Sequence, residues 1–225
     1  MSAEQPLPVV RSVGNQVYEA LQARVLDMKF TPGERLVIDK LARELGVSAT
    51  PVRDALGRMA AEHLIAFEPY RGFTVLGDPT AEEVEESFEA RRGIEMYAAR
   101  LGAGRATDAQ IAEMREVDAQ IASRNYEGKF DSYVNFVRSN RRFHELIVAT
   151  SSNRFLVEAN RNLYHDMLLA RTMHDRGVPD LTQIGREHRA IIEGFENRDP
   201  DEVEQAVSRH ILDGAARIRS ARVVS

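Results

Sequence analysis

The chain of 225 residues contains no cysteine. Disulfide bonds and thiolate metal sites are therefore excluded, and any metal ion must be held by histidine, carboxylate or amide ligands. Residues 1–10 contain no apolar run long enough for a signal peptide. No later stretch approaches the roughly 20 apolar residues that a membrane-spanning helix needs. These absences predict a cytoplasmic protein that does not contact a membrane.

An excess of positive charge is also missing, because the net charge is −5. Residues 1–76 contain nine Lys/Arg and nine Asp/Glu, whereas residues 77–225 contain 21 and 26. A neutral module gains little from counterion release when it binds DNA. If the N-terminal part binds DNA, we therefore expect it to act as a dimer, in which two weak modules add.

The first 78 residues show the pattern of a winged helix-turn-helix. An apolar stripe through residues 12–28 predicts a first helix, with Ser12 as its N-cap. Residues 36–45 predict a second helix that ends at Gly46, and Ser48 begins a third. The β-prone runs 64–67 and 73–76 flank a turn, which predicts a hairpin. We place the helix-turn-helix at about 37–58 and the wing at about 64–76.

Residues 79–225 predict a second domain of different character. Thr80 with Glu83, and Thr107 with Gln110, have the spacing of capping boxes that open helices. Helical stripes continue through residues 129–149, 154–174, 181–196 and 200–218, and no strand pattern appears. The chain is therefore predicted to be mainly α, with an N-terminal winged helix-turn-helix and a C-terminal all-α bundle of about six helices.

Three segments carry a family resemblance in the N-terminal part. Pro-Gly-Glu-Arg-Leu at 32–36, Leu-Ala-Arg-Glu-Leu-Gly-Val-Ser-Ala-Thr-Pro-Val-Arg-Asp-Ala-Leu at 41–56 and Arg-Gly-Phe at 71–73 resemble GntR-family transcription regulators. Segments 89–95, 140–144, 187–188 and 210–211 resemble the FCD type of helical domain, named after the C-terminal domain of FadR. The resemblance implies a homodimer on a palindromic operator. It also implies a helical domain that binds a small carboxylate metabolite.

The third helix supplies the main candidate contacts to double-stranded DNA. Arg53 lies one turn into this recognition helix, where a guanidinium reaches a guanine edge or a phosphate. Ser48 and Thr50 lie at its start, where hydroxyls and free amides suit phosphate. Family members commonly carry arginine where this chain has Ala49, so the chain lacks one expected contact.

Further candidates lie outside that helix. Arg35, Arg43 and Arg71 are candidates for contacts to the DNA backbone or from the wing, and Gly72 lets the wing turn tightly towards the minor groove. For Arg35 and Arg43, an ordinary solvated surface charge remains an equal alternative. For Arg53 and Arg71 the alternative is the same, but the motif around Arg53 favours a role in DNA binding.

A candidate metal site is spread over three predicted helices. Asn140 and His144 are four residues apart and share one helical face, and His188 and His210 lie on two later helices. The resemblance implies that these four positions are ligands, and such a set suits Zn²⁺ or Ni²⁺. The family usually has aspartate in place of Asn140, so the ion either binds weakly or is absent, or it binds and keeps charge that attracts an effector carboxylate. The alternative is three hydrogen-bonded core histidines.

The resemblance places an effector-carboxylate contact at Arg91. The alternative for Arg91 is an ion pair with Glu95 at i+4, and Arg92 is a second candidate for the contact. The sequence shows no phosphate-binding loop, zinc-protease helix or nucleophile pattern. It therefore predicts a metabolite-responsive regulator, most simply a repressor, and no enzyme. The rival is a helical metal-dependent enzyme or metabolite-binding protein whose N-terminal domain only mediates assembly.

Overall fold

The computed structural model describes residues 12–26, 29–77, 79–124, 130–163 and 180–223. The chain divides into two compact units, Met1–Gly77 and Asp78–Ser225. Within the described residues, no helix combines the length and the apolar character that crossing a membrane requires.

The first unit contains three helices and a hairpin. In chain order these are α1 (Val13–Leu26), α2 (Ile38–Leu45), α3 (Ala49–Ala61), β1 (Ile65–Glu68) and β2 (Gly72–Val75). The inward face of α3 is fully buried, as its apolar spacing predicts, and consists of Val52, Ala55, Leu56 and Met59. Because those four residues share one face, Thr50, Arg53 and Gly57 are turned outward and exposed.

The start of α2 and the bounds of both strands differ from the prediction. The second helix begins at Ile38 and not at 36, because the Leu36 amide donates to the Phe73 carbonyl. Residues 33–36 thus pair with the edge of β2 before the helix begins. Both strands are also shifted by one residue, with Ile65 opposite Val75 and Glu68 opposite Gly72.

The second unit is helical throughout its described residues. It contains α4 (Ala81–Gly102), α5 (Asp108–Ser123), α6 (Phe130–Thr150), α7 (Arg154–Asn162), α8 (Leu181–Glu196) and α9 (Pro200–Val223). Both predicted capping boxes are present, at Thr80 with Glu83 and at Thr107 with Gln110. The stripe predicted through 154–174 begins with α7, which ends at Asn162, and the part of the prediction at 164–174 lies outside the described residues.

Close helix packing brings the later helices onto α4. A Cβ atom on Gly102 of α4 would lie 1.9 Å from the Thr150 hydroxyl oxygen at the end of α6. A Cβ atom on Gly194 of α8 would lie 2.9 Å from the backbone of Val203 on α9. Glycine at these two positions therefore permits the packing of α6 on α4 and of α8 on α9. The interior of this bundle contains the candidate ligand site.

Candidate DNA interface and buried ligand site

The turn between α2 and α3 has the geometry that the sequence predicts. Gly46 caps α2 in the left-handed conformation, with φ of 67°, and its amide hydrogen-bonds to the last turn of the helix. Ser48 occupies the N-cap position of α3 in an extended conformation, but its side chain makes no capping hydrogen bond. The hydroxyl and the first amides of α3 therefore remain available to a phosphate at the start of the helix.

Arg53 is exposed on the outward face of α3 and has no ion-pair partner among the residues that the structure describes. Arg58, further along the same helix, is engaged differently. Its guanidinium lies 3.8 Å from the centre of the Tyr18 ring, and its Nε donates to Glu62 at 2.9 Å. Of these two arginines on α3, only Arg53 is free to contact a base or a phosphate.

The wing brings three of the other candidates together. Gly72 has φ of 80°, and a Cβ atom there would lie 3.9 Å from a terminal nitrogen of Arg35. Arg35 therefore lies beside the wing. The sequence did not predict this position, because Arg35 is 37 residues before Gly72. Arg71 is exposed at the tip and donates to Glu68 at 2.9 Å. Arg43 is exposed on α2.

In the second unit, His144, His188 and His210 come together in the interior. One ring nitrogen of each histidine lies within 4.8 Å of the corresponding nitrogens of the other two. The Nε2 atoms of His144 and His210 are 3.1 Å apart. All three side chains are almost completely buried. The sequence predicted this convergence from three separate helices.

Each histidine is held through its other nitrogen by a carboxylate. The Nδ1 of His144 donates to Glu95 at 2.6 Å, and the Nδ1 of His188 donates to Asp118 at 2.9 Å. The Nδ1 of His210 donates to Glu187 at 2.7 Å. Because a carboxylate accepts and does not donate, each ring carries its proton on Nδ1, and its Nε2 presents a lone pair to the centre.

Burial acts on the pKa values in the direction that a metal ligand needs. Loss of hydration lowers the pKa of all three histidines, most clearly for His144, where the Arg91 charge adds to the effect. The rings are therefore neutral near neutral pH and keep their lone pairs. Burial raises the pKa of Glu95, and the Arg91 guanidinium opposes that rise.

Two buried atoms have no hydrogen-bond partner among the described residues. They are the Oδ1 of Asn140 and the Nε2 of His188. An unpaired buried polar atom costs about 1–3 kcal/mol, and the facing lone pairs of His144 and His210 repel each other. Two nitrogens bound to one ion at about 2.0–2.1 Å each lie roughly 3 Å apart. The three histidine nitrogens therefore fit a divalent metal ion of the zinc or nickel type, and the unpaired amide of Asn140 lines the cavity together with His210.

A cavity of about 50 Å³ opens beside the donors and is lined in part by Arg91, Asn140, His210 and Arg217. The Nε of Arg91 donates to Glu95 at 2.7 Å, so the expected i+4 ion pair is present, but it is buried rather than on the surface. The two terminal nitrogens of Arg91 have no hydrogen-bond partner within the described residues. Arg91 therefore serves Glu95 and still offers two donors to a ligand. Arg92 donates to Ser208 and does not line the cavity.

Three residues of this site were not predicted from the sequence: Asp118, Glu187 and Arg217. Asp118 lies on α5 and Arg217 on α9, and both terminal nitrogens of Arg217 donate to Glu187, at 2.6 and 2.8 Å. Glu95 was considered only as a partner of Arg91. Position gave a signal for Arg217, which follows His210 by seven residues and so shares its helix face. No local signal marks Asp118, which is 70 residues from His188.

A winged helix-turn-helix followed along the chain by a helical unit is the architecture of a class of DNA-binding regulators. The family model for the FCD domain matches residues 86–213, and the model for bacterial regulatory proteins of the gntR family matches residues 13–75. The chain belongs to the GntR family of transcriptional regulators, in the subfamily with an FCD domain.

Individual relatives agree with this assignment. The chain is 27% identical to the uncharacterised HTH-type transcriptional regulator YdhC of Bacillus subtilis, over 87% of this chain and 86% of YdhC. It is 26% identical to the HTH-type transcriptional repressor RspR of Escherichia coli, over 99% of this chain and 96% of RspR. The structure of E. coli McbR/YncC has the same fold, with a TM-score of 0.72 at 22% identity, over 94% and 99% of the two chains.

These families and relatives are transcriptional regulators and not enzymes. The chain is accordingly a DNA-binding transcriptional regulator, as the sequence predicted. The rival interpretation, a metal-dependent enzyme with an N-terminal assembly domain, is not supported.

Proposed function

We propose that the chain is a cytoplasmic, metabolite-responsive repressor that binds a palindromic operator as a homodimer. A divalent ion of the zinc or nickel type is held by Asn140, His144, His188 and His210, and a small carboxylate effector binds beside it. Arg91 contacts that carboxylate. RspR of Escherichia coli is a transcriptional repressor, which supports repression as the mode of regulation.

One observation carries the ligand-responsive part of this proposal. Three buried histidine nitrogens converge beside a cavity whose lining includes His210, the Asn140 amide with its unpaired oxygen, and the buried Arg91. A bundle that needed only stability would fill such a place with apolar side chains, because unpaired polar groups are costly when buried. When bound, the ion would act as a Lewis acid that holds an anionic ligand in place.

The surrounding residues position the effector. Glu95, Asp118 and Glu187 fix the three imidazole rings, and Arg217 fixes Glu187. Arg91 offers a fork of donors that suits a carboxylate. The effector regulates only if it binds the DNA-free arrangement of the dimer better than the DNA-bound one.

For the DNA-binding part, we assign base or phosphate contact to Arg53 and phosphate contact to Ser48 and Thr50. The wing contributes through Gly72, and the arginines at 35, 43 and 71 contact the backbone. The exposure of Arg53 beside an uncapped helix start supports this assignment.

The decisive experiment begins with DNA that the purified full-length protein selects from a random pool. The selected sequence should contain an inverted repeat, and sedimentation should give two protomers per duplex. Arg53→Ala should weaken binding at least tenfold per half-site, since a specific arginine contact discriminates by about 1–3 kcal/mol.

Arg58→Ala is the matched control, because it removes the same charge from the same helix. Its guanidinium is already held by Tyr18 and Glu62, so it should change affinity by less than about threefold. Equal losses in the two variants would contradict the assignment of α3 as the recognition helix. Selection of no sequence at all would contradict the operator itself.

A further inference from the structure

The cavity beside the candidate metal donors has two layers. Arg91 of α4, Asn140 of α6 and His210 of α9 form a polar layer. One helical turn away on the same helices, the lining becomes apolar, with Phe88 on α4 and Phe136 on α6. The apolar layer consists of Phe88, Phe136, Ile184, Ile211, Gly214 and Ile218.

This layering determines where each part of a ligand must lie. A carboxylate anchored in the polar layer directs the rest of the molecule against the apolar layer. Among the described lining residues there is no hydroxyl side chain and no carboxylate. Hydroxyl groups on the body of a ligand would lose water there without gaining partners, whereas each added methylene should strengthen binding about fourfold.

The charges of the site favour a single carboxylate. Arg91 and Arg217 are the two charged residues of the described lining, and the terminal nitrogens of Arg91 have no hydrogen-bond partner within the described residues. Both terminal nitrogens of Arg217 are already committed to Glu187. A second carboxylate on the ligand would therefore lie against the apolar layer without a cation to pair with it.

The size of the cavity limits the length of the ligand. Its volume is about 50 Å³, and one water occupies roughly 10–15 Å³ on this scale. The space thus accommodates about three to five water-sized groups. It matches an acid with a few carbon atoms.

We propose that the effector is a short monocarboxylic acid with an apolar body, and not a dicarboxylate or a polyhydroxy acid. This inference rests on the proposed function, since the carboxylate anchor is the metal ion with Arg91. It adds the chemical class, which follows from the apolar layer, the single arginine with uncommitted donors in the described lining, and the cavity volume.

The test uses the full-length protein loaded with zinc and measures the dissociation constants of six acids by calorimetry. Acetate, propionate and butyrate should bind with affinities that rise about fourfold per methylene. Hexanoate should bind more weakly than butyrate. Succinate and glycerate should bind at least tenfold more weakly than butyrate. Succinate or glycerate binding as well as butyrate, or equal affinity across the monocarboxylates, would overturn the inference.

Gly214→Ala tests the apolar layer directly. The new methyl group would lie 3.4 Å from a ring carbon of Phe88, so it fits and takes space from the cavity. It should weaken butyrate at least tenfold and leave acetate within about twofold. Gly93→Ala is the matched control, since nothing lies within 4 Å of its Cβ position and it does not line the cavity. Unchanged butyrate affinity in Gly214→Ala would overturn the inference.

Failure of the inference can be distinguished from failure of the proposed function. If zinc is bound and succinate or glycerate is the best ligand, the effector class is wrong while the effector site stands. If zinc is bound and none of the six acids binds, both the class and the carboxylate effector are wrong. DNA selection by the same protein reports the operator-binding role independently of either result.

Discussion

In the first unit, the candidate contacts Ser48, Thr50 and Arg53 are exposed and lie within six consecutive residues. In the second unit, the candidate ligands are buried and come from three helices, and every histidine is held by a carboxylate. A DNA contact must remain solvated until the operator arrives, whereas a metal ligand must be positioned in advance. The first kind of site can therefore be predicted from a short sequence motif. The second kind depends on the packing of the whole bundle.

The largest expected effect is the loss of zinc binding when one histidine of the buried site is removed. His144→Ala removes one of four donors, so zinc affinity should fall by more than the 10- to 100-fold that loss of an outer-shell partner typically costs. Zinc content, measured after dialysis, should approach zero, and a chelator should no longer lower the thermal midpoint.

His63→Asn is the control for this variant, because it removes a histidine from the first unit. Asparagine tolerates the positive φ of 55° at that position. Full zinc content in His144→Ala would show that the three-histidine cluster is an ordinary hydrogen-bonded core.

The next effect tests whether the carboxylates position the rings. Asp118→Ala leaves the Nδ1–H of His188 without its acceptor, and zinc affinity should fall about 10- to 100-fold. Competition with a chromophoric chelator measures this change. Asp108→Ala, on the same helix but paired with Arg198 at the surface, should leave zinc affinity unchanged. Equal affinities in the two variants would assign Asp118 a packing role only.

A smaller effect concerns the departure of this chain from its family. Asn140→Asp supplies a charged ligand, so zinc affinity should rise about tenfold, the equivalent of roughly 1.4 kcal/mol. The same change places a negative charge beside the bound ion. Butyrate, which is also negative, should therefore bind more weakly. A rise in zinc affinity without any loss of butyrate binding would separate the ion from the effector anchor.

The smallest effect sharpens the exposed site. Ala49→Arg adds a guanidinium at the first residue of α3 and should tighten operator binding. The slope of log K against log salt should steepen by about 0.9 per half-site, the value for one phosphate contact. Ala112→Arg, an exposed change on α5, adds the same charge to the second unit. If the slope is unchanged or equal in the two variants, Ala49 does not face a phosphate.

The difference between the two units also explains what sequence could predict. Apolar spacing and capping residues were enough for α3 and for both capping boxes, because each depends on residues close together or on helix periodicity. The start of α2 was placed too early because Leu36 is apolar and fits a helical stripe. Its amide bonds to Phe73, 37 residues further on, and no local pattern records that pairing.

The same limit applies to the partners of the histidines. His144, His188 and His210 are rare residue types, and their positions matched the FCD resemblance. Asp118 and Glu95 are two of 35 acidic residues, and only the packing of α4 and α5 against α6 and α8 selects them. Arg91 was predicted with two alternative roles; the structure shows the ion pair, through Nε to Glu95, and the effector contact stays a prediction.

The pairing of residues 33–36 with β2 has a consequence for the length of DNA that one winged unit can contact. The amides of Gly33 and Leu36 donate to the carbonyls of Val75 and Phe73, and the Val75 amide donates to Glu34. The wing is thereby tied to the segment that leads into α2, so its tip cannot drift from the recognition helix. If the unit binds one half-site, as proposed, the distance between its wing contact and its α3 contact is fixed. Inserting one base pair into the half-site should then weaken binding as much as a wrong base does.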